Sequence, residues 1–481
     1  MKRDSIIAWC IVALAAVVRI FSAFRFPFEQ DELYTIDEAT NLFHTRLLPG
    51  IQARPVFFLL EHPFVTHFST IEPVLRLVAL VFGIVGLWAV WRLAKDGIGR
   101  GGALAALVLV AISPWHLYAS AFARYYSLLF LLAALAYWLL QRAYDSDAPR
   151  DFAVALVPVL LGSWTHPSFV FPVAGAILAL TLVSREGAFR WRWPSRNAWW
   201  YLYIPLVAIS AVIAVVIHFV APARTTVANG GDRGLMATLR LVPAMVDWMT
   251  VTVAVAAIAG IVLLLRSNAP GRRRLGLMAL LGSIAMVFAL FALSFITAIY
   301  ADYGIAALPL VLVAAAYPVT WILGSGEPAR ARAAAWAVAA IVVASVLPST
   351  ISYLSDGTRF DYRPAYRRIE SISPGTFVLT WPIAQQRRYA PGLNARELPT
   401  DSVALDSALG ARRDLWVVAS VKRYGIVGDD TGGMAHWLTD HCSQVDEYQR
   451  PRLDYRIYRV DLWRCTLRDA GSTSPGTTPT T

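Results

Sequence analysis

Apolar runs recur along this 481-residue chain, and they constrain it more than any other feature. Crossing ~30 Å of hydrocarbon takes about 17–25 helical residues. Runs of that kind fall at about 5–24, 72–94, 102–120, 124–141, 152–166, 168–184, 199–221, 243–265, 275–298, 303–323 and 333–353, roughly eleven in all. Lipid offers backbone N–H and C=O groups no partner, so only helices or a closed barrel can span it. A polytopic α-helical membrane protein is the expected class. Composition agrees: 57% of residues are hydrophobic and 16% charged, against about 25% charged in soluble domains. The run behind Met1-Lys2-Arg3 reads as a retained helix, because it extends well past the apolar core of a signal peptide and lacks a small-residue cleavage site. The fifth and sixth runs share a short stretch around Thr165-His166-Pro167 and are expected to be short, tilted or partly re-entrant.

The formal net charge is +11, but its distribution speaks for topology rather than nucleic acid. Lys95 and Arg100, Arg142 and Arg150, Arg185, Arg190, Arg192 and Arg196, Arg266 and Arg272 to Arg274, and Arg330 and Arg332 all fall in alternate short loops. The positive-inside rule then puts the N-terminus in the cytoplasm. Eleven spans place everything after about Tyr353 in the periplasm or outside the cell. The first outer loop, about 25–71, is long and acidic, with Glu29, Asp31, Glu32, Asp37, Glu38 and Glu61. All eight His, at 44, 62, 67, 116, 166, 218, 436 and 441, fall outside or at outer helix ends. Chemistry is expected on the outer face.

Residues 1–354 thus form the membrane domain and 355–467 an external α/β domain, followed by a Ser-, Thr-, Pro- and Gly-rich disordered tail, 468–481. Strands are read at 376–381, 415–421 and 455–460, after a helix at 362–372 entered through Pro364. Cys10 lies in the first run and is expected to be a buried small hydrophobe. Cys442 and Cys465 share the oxidising side and are expected to pair. No Cys/His spacing suggests zinc.

Ionisable groups beside a membrane are costly unless hydrated or paired, so those that occur are candidates for function. Asp31-Glu32 lies just beyond the first run. Arg54-Pro55-Val56 and Glu61-His62-Pro63 follow in the same loop, then Ser113-Pro114-Trp115-His116 and Arg124-Tyr125-Tyr126-Ser127-Leu128. This ordered set resembles the GT-C superfamily of polytopic glycosyltransferases, in the branch of the protein O-mannosyltransferases and lipid A aminoarabinose transferases. In that branch an Asp-Glu pair in the first outer loop is followed by a His-Pro-Pro-Leu-like segment and by a Ser-Pro…Arg-Met-Tyr-Ser-Leu-like run. Here Tyr125 takes the Met position. Two positions depart from the pattern. Arg54-Pro55-Val56 replaces the His-Pro-Pro segment, and Asp302-Tyr303 stands where an Arg-Tyr often precedes the late Leu308-Pro309.

The resemblance implies transfer of a sugar from a polyprenyl phosphate donor to an acceptor hydroxyl of a lipid, glycan or protein, in a cell (inner) membrane. A positioned carboxylate takes the acceptor proton as the bond forms, and fixed cations stabilise the departing phosphate. Asp31 is expected as the base, with Glu32 orienting it or the acceptor. Arg124, Tyr125, Tyr126, Arg54 and His166 are expected on the donor phosphate and lipid, and His62 in the acceptor or sugar pocket. No cofactor is called for, and a metal requirement stays open. Two other classes are weighed: a transporter or flippase of lipid-linked sugars, and a polysaccharide ligase. Transporters concentrate polar groups near the midplane and carry repeated halves, whereas here the polar residues cluster at outer ends.

Overall fold

The protein is described from a computed structural model. It describes residues 2–43, 55–183, 189, 193–220, 234–295, 299–325, 328–399, 401–412, 414–422, 425–427, 429, 432–450, 452–454 and 456–466. Arg54, His44, Arg185, Arg190, Arg192 and the 468–481 tail lie outside the described residues. The chain divides into two compact units. One is helical and comprises Met1–Phe26 with Tyr34–Gly357; the other comprises Pro27–Leu33 with Thr358–Thr481.

Among the described residues of the helical unit, five helices are long and apolar enough to cross a membrane: Asp4–Arg25, Leu77–Ile112, Tyr126–Ser146, Pro270–Ser294 and Ala329–Asp356. The protein is an integral membrane protein. The expected count of about eleven spans is not confirmed, because several apolar runs fold into shorter or broken helices. Val170–Leu182 has 13 residues and Pro149–Thr165 has 17. The run expected at 243–265 is bent by 94° at Thr250, whose φ is 75°.

The 36-residue element Leu77–Ile112 is a hairpin rather than one rod. A straight helix of that length would be about 54 Å long. Yet Arg76, at one end, donates to the Ala23 and Phe26 carbonyls at 3.0 and 2.8 Å, while Val110 and Ala111, at the other end, accept from Arg19 at 3.2 and 3.3 Å. Both ends therefore meet the same end of the first span. Gly99, with φ 85° inside the element, is where the chain doubles back, a conformation that costs a glycine little. Cys10, expected to be buried, is exposed on the first helix. An apolar helix in lipid has no reason to turn small hydrophobes inward.

The second unit is an α/β sandwich. Its sheet runs in the order β2 (Asn394–Glu397), β1 (Phe377–Thr380), β3 (Asp414–Lys422), β6 (Arg459–Thr466), β5 (Cys442–Tyr448), with the short β4 (Gly425–Ile426) folded against β3. β1 pairs in parallel with β2 and β3, and β6 is antiparallel to β3 and β5. Seven consecutive residues of β3 are buried, as expected for a strand covered on both faces. Trp416 and Val418 pack with Tyr366 and Ile369 of the helix Arg363–Ile372, whereas Leu415, Val417 and Ala419 pack with Leu405, Leu409, Trp437 and Leu438. Alternation along the strand sorts them. Cys442 and Cys465 are opposite partners on β5 and β6 and form the expected disulfide. The strand expected at 455–460 instead begins at Arg459. Asp454 accepts from the Arg456 backbone N–H at 3.2 Å and from the Arg452 and Arg456 side chains, an Asx-type turn that competes with the ladder.

Candidate active site

The acidic pair opens the helix Gln30–Thr40, whose first turn carries Asp31 and Glu32. Glu29 precedes it and caps it. Its carboxylate accepts from the Asp31 N–H at 3.3 Å, and Glu32 reaches back to accept from the Glu29 N–H at 2.9 Å. This reciprocal arrangement satisfies donors a helix start would leave orphaned. Glu32 is fully buried and pairs with the equally buried Arg359 at 3.0 Å. Arg359 also donates to the Pro27 carbonyl at 3.1 Å. The neighbouring Phe28 is held at both backbone groups: its N–H donates to the Tyr389 hydroxyl at 2.7 Å, and its carbonyl accepts from Gln385 at 2.8 Å. Glu32 is thereby an anchor, while Asp31 remains half-buried on the same turn. Burial, and then the negative charge of Asp31, push the Glu29 carboxyl above its ordinary range, partly offset by Lys422 and Arg359.

A second constellation lies in the helical unit and starts from a proline. Pro114 has no N–H to give to Val110, so the preceding helix ends with carbonyls in need of donors. Arg19, fully buried in the first span, supplies them. Its guanidinium donates to Val110 and Ala111, to Ser120 Oγ at 3.3 Å, and to His116 Nδ1 at 2.6 Å. Ser113 caps the next helix, Pro114–Ser120, by accepting from the His116 N–H. That helix docks where Gly83 stands. A Cβ there would come within 2.3 Å of Ser120 Oγ.

The chain then turns through 121–125 into the helix Tyr126–Ser146. Thr35 donates to the Ala123 carbonyl at 2.9 Å, and Glu38 pairs with Arg124 at 2.7 Å. Three residues apart on a helix, Thr35 and Glu38 face the same way and hold this turn together. Arg124 lies 6.0 Å over the Tyr125 ring. Tyr125 stacks on His166 with centroids 4.8 Å apart, and His166 leans on Tyr303 at 4.8 Å. Tyr126 touches Tyr125 at 4.7 Å and stacks on Phe122. Sequence-distant segments thus bring Arg124, Tyr125, Tyr126 and His166 together.

His166 Nδ1 lies 2.7 Å from Ser168 Oγ and 3.2 Å from the Ser168 N, and Ser168 Oγ donates to the Tyr303 carbonyl at 3.1 Å, so this ring is held between two segments of the helical unit. His62 Nδ1 lies 2.7 Å from the Ala39 carbonyl, which can only accept, so in the neutral ring its Nε2 is an acceptor, which suits a hydroxyl. His62 stands apart from the Tyr125 cluster, against Phe43, but Phe57 of its own helix meets the Tyr125 ring at 6.4 Å. Among the described residues, no group of three or more His, Cys, Asp or Glu is placed to hold a metal ion.

Glu38, Arg359, Ser168 and Arg19 lie outside the motifs that mark the site in the sequence. For Arg19 a signal was present, since an arginine inside an apolar span is a functional candidate by default. Tyr303 stands in the sequence beside Asp302, and only packing brings it to His166. Arg359 sits in an ordinary polar stretch and carries no such signal.

Residues 54–219 match the model of the family described as dolichyl-phosphate-mannose-protein mannosyltransferase. In fold the chain is similar to ArnT from Cupriavidus metallidurans in the apo state, at TM-score 0.53 and 14% identity over 94% of this chain and 97% of that one. The same protein bound to undecaprenyl phosphate aligns at TM-score 0.50, again 14% identical over 94% and 97%. An oligosaccharyltransferase from Archaeoglobus fulgidus aligns at 0.48 with 13% identity, over 85% of this chain and 67% of that one. No curated protein matches the sequence. The family match covers 166 of the 481 residues, and the likeness to ArnT over nearly the whole chain shows that the two share a fold. Both likenesses fall on the branch that the ordered motifs resemble.

Proposed function

We propose that the protein transfers a sugar from a polyprenyl phosphate donor to an acceptor hydroxyl of a lipid, glycan or protein at the outer face of the cell membrane, with its N-terminus cytoplasmic and its second unit periplasmic or extracellular. The observation that carries this reading is that the stretch matching the mannosyltransferase family, 54–219, holds the Arg124–Tyr125–His166 cluster. The undecaprenyl phosphate bound by ArnT supports a lipid phosphate as the donor's carrier.

In this reading the acceptor oxygen forms a bond to the sugar's anomeric carbon as the bond from that carbon to the phosphate oxygen breaks. Asp31 takes the acceptor proton. Glu32, locked by Arg359, fixes the helical turn that carries Asp31. The departing phosphate keeps the bonding pair, and its charge is met by the Arg124 guanidinium and the His166 imidazole, whose planar fork and ring are held in place before the reaction. Tyr125 and Tyr126 position these groups. Arg54 is proposed on the same phosphate, and His62 Nε2 accepts from a sugar or acceptor hydroxyl.

The test incubates the purified protein with a panel of polyprenyl phosphate sugars and follows release of polyprenyl phosphate. Asp31→Asn is expected to keep near-normal donor binding while transfer falls roughly 10²–10⁴-fold, the usual range for a general base. Arg124→Ala weakens donor binding as well. Transfer by Asp31→Asn at the wild-type rate moves the base elsewhere, with Glu32 next to be tested. No release from any donor in the panel overturns the reading.

A further inference from the structure

A polar pocket joined to an apolar groove lies in the helical unit, far along the first span from Arg19 and the constellation built on it. The pocket, about 50 Å³, is lined by Asp4, Ser5, Trp91, Lys95, Arg100 and Leu104. A single water needs about 10–15 Å³ by such a measure, so the pocket admits a group several times larger. The groove is shallow, about 10 Å³, and shares Trp91; it opens past Trp88 to Trp9, whose ring is exposed on the first span.

Depth identifies what this combination faces. Asp4–Arg25 is a 22-residue apolar segment, about 33 Å long at 1.5 Å per residue, which matches the hydrocarbon thickness. Asp4 and Ser5 therefore stand at headgroup level, and Trp9 and Val12, one to two turns along, stand beside acyl chains. Arg100 follows directly on the Gly99 turn, where the hairpin reverses at that same membrane boundary. Charge selects the occupant. Two cations line the pocket against one carboxylate, and the Arg100–Asp4 pair is loose, at 3.9 Å with both side chains well exposed. Lys95 lies 4.8 Å over the Trp91 ring, which steadies the ammonium while leaving its donors for an anion. The nearby Asp96 is occupied by Arg92 and by the Trp138 N–H.

We propose that this pocket and the apolar face beside it bind one anionic glycerophospholipid, its phosphate held by Lys95 and Arg100 and one acyl chain laid against the exposed ring of Trp9. Basic pockets between membrane helices recognise lipid headgroups in this way. The site is independent of sugar transfer and of the residues assigned to it.

The test uses the full chain in nanodiscs containing phosphatidylglycerol and phosphatidylcholine in equal amounts, with lipids retained after gentle detergent extraction counted by native mass spectrometry. The wild type is expected to retain one phosphatidylglycerol. A contribution of about fivefold per cation near an anionic headgroup makes the Lys95→Gln/Arg100→Gln double variant lose roughly 25-fold in that preference. The control Arg330→Gln/Arg332→Gln removes equal charge elsewhere and is expected to retain the lipid. Trp91→Leu weakens retention with the charge intact. Equal retention of the two lipids by the wild type, undiminished retention by the double variant, or equal loss in the control overturns the proposal. Variants are compared only where gel filtration gives a single symmetric peak, and Lys95→Gln alone provides the milder change if the double variant aggregates.

Discussion

Removing Arg359 should damage the second unit far more than removing both members of its ion pair. Arg359 and Glu32 have no exposed side-chain surface and meet at 3.0 Å. Arg359→Met keeps most of the volume but leaves a carboxylate buried without this counter-ion, a change that costs about 3–5 kcal/mol in comparable sites. In the double variant Glu32→Gln/Arg359→Met neither charge remains, and replacement of a whole buried pair is often close to neutral. The cycle formed by the two single variants and the double one isolates the coupling. Hydrogen exchange with mass spectrometry on the full chain reads it locally: a loss of 3–5 kcal/mol raises exchange through local opening roughly a hundred- to several-thousand-fold. The increase should fall on 30–33 and on the strands β1 and β3, and leave Pro270–Ser294 unchanged. Arg359→Lys keeps a charge but not the fork that also serves the Pro27 carbonyl, and should fall between. An Arg359→Met variant within about 1 kcal/mol of wild type, or a double variant as damaged as the single one, would refute the argument that desolvated charge governs this anchor.

Arg19→Met removes the donor to two helix-end carbonyls, to Ser120 and to His116; at about 1–3 kcal/mol for each buried group left unsatisfied, amide exchange across 113–125 should rise at least tenfold, with partial recovery in Arg19→Lys. The Cys442→Ser/Cys465→Ser variant opens a loop of 23 residues and should lose about 3 kcal/mol by the chain-entropy estimate, read as lower resistance of the second unit to urea; equal urea profiles would exclude any such contribution. Acid should loosen the 452–456 turn. Burial raises the Asp454 carboxyl, but hydrogen bonds and charge from Arg452 and Arg456 outweigh it and leave the group below its ordinary 3.8. Its contribution is thus present above pH 3.8 and lost as pH falls through the lower folded value. Asp454→Asn should abolish that acid-dependent step in the fluorescence of the second unit.

The membrane class, the C-terminal α/β domain and the ordered motifs were legible in the sequence because each depends on local chemistry. Apolar length measures membrane crossing, strand alternation marks a sheet, and the run from Ser113 to Leu128 holds its polar and aromatic residues within one contiguous stretch. The disulfide was legible too, since two cysteines in one domain leave one pairing. Other features depend on distances between remote segments, which no local pattern encodes. Gly99 reads equally as a tolerated helix glycine or as a hairpin, and only the contacts of Arg76 and Arg19 with the same end of the first span decide it. Asp31 and Glu32 look alike as neighbours in sequence. Tertiary structure separates them, because Arg359, more than 300 residues away, buries one as an anchor and leaves the other half-exposed. Likewise the motif marks Arg124 in the sequence, but only packing shows that Glu38 pairs with it and that Tyr125, beneath it, stacks on His166. A charge acquires its role from what desolvates and pairs it, and that is settled by packing.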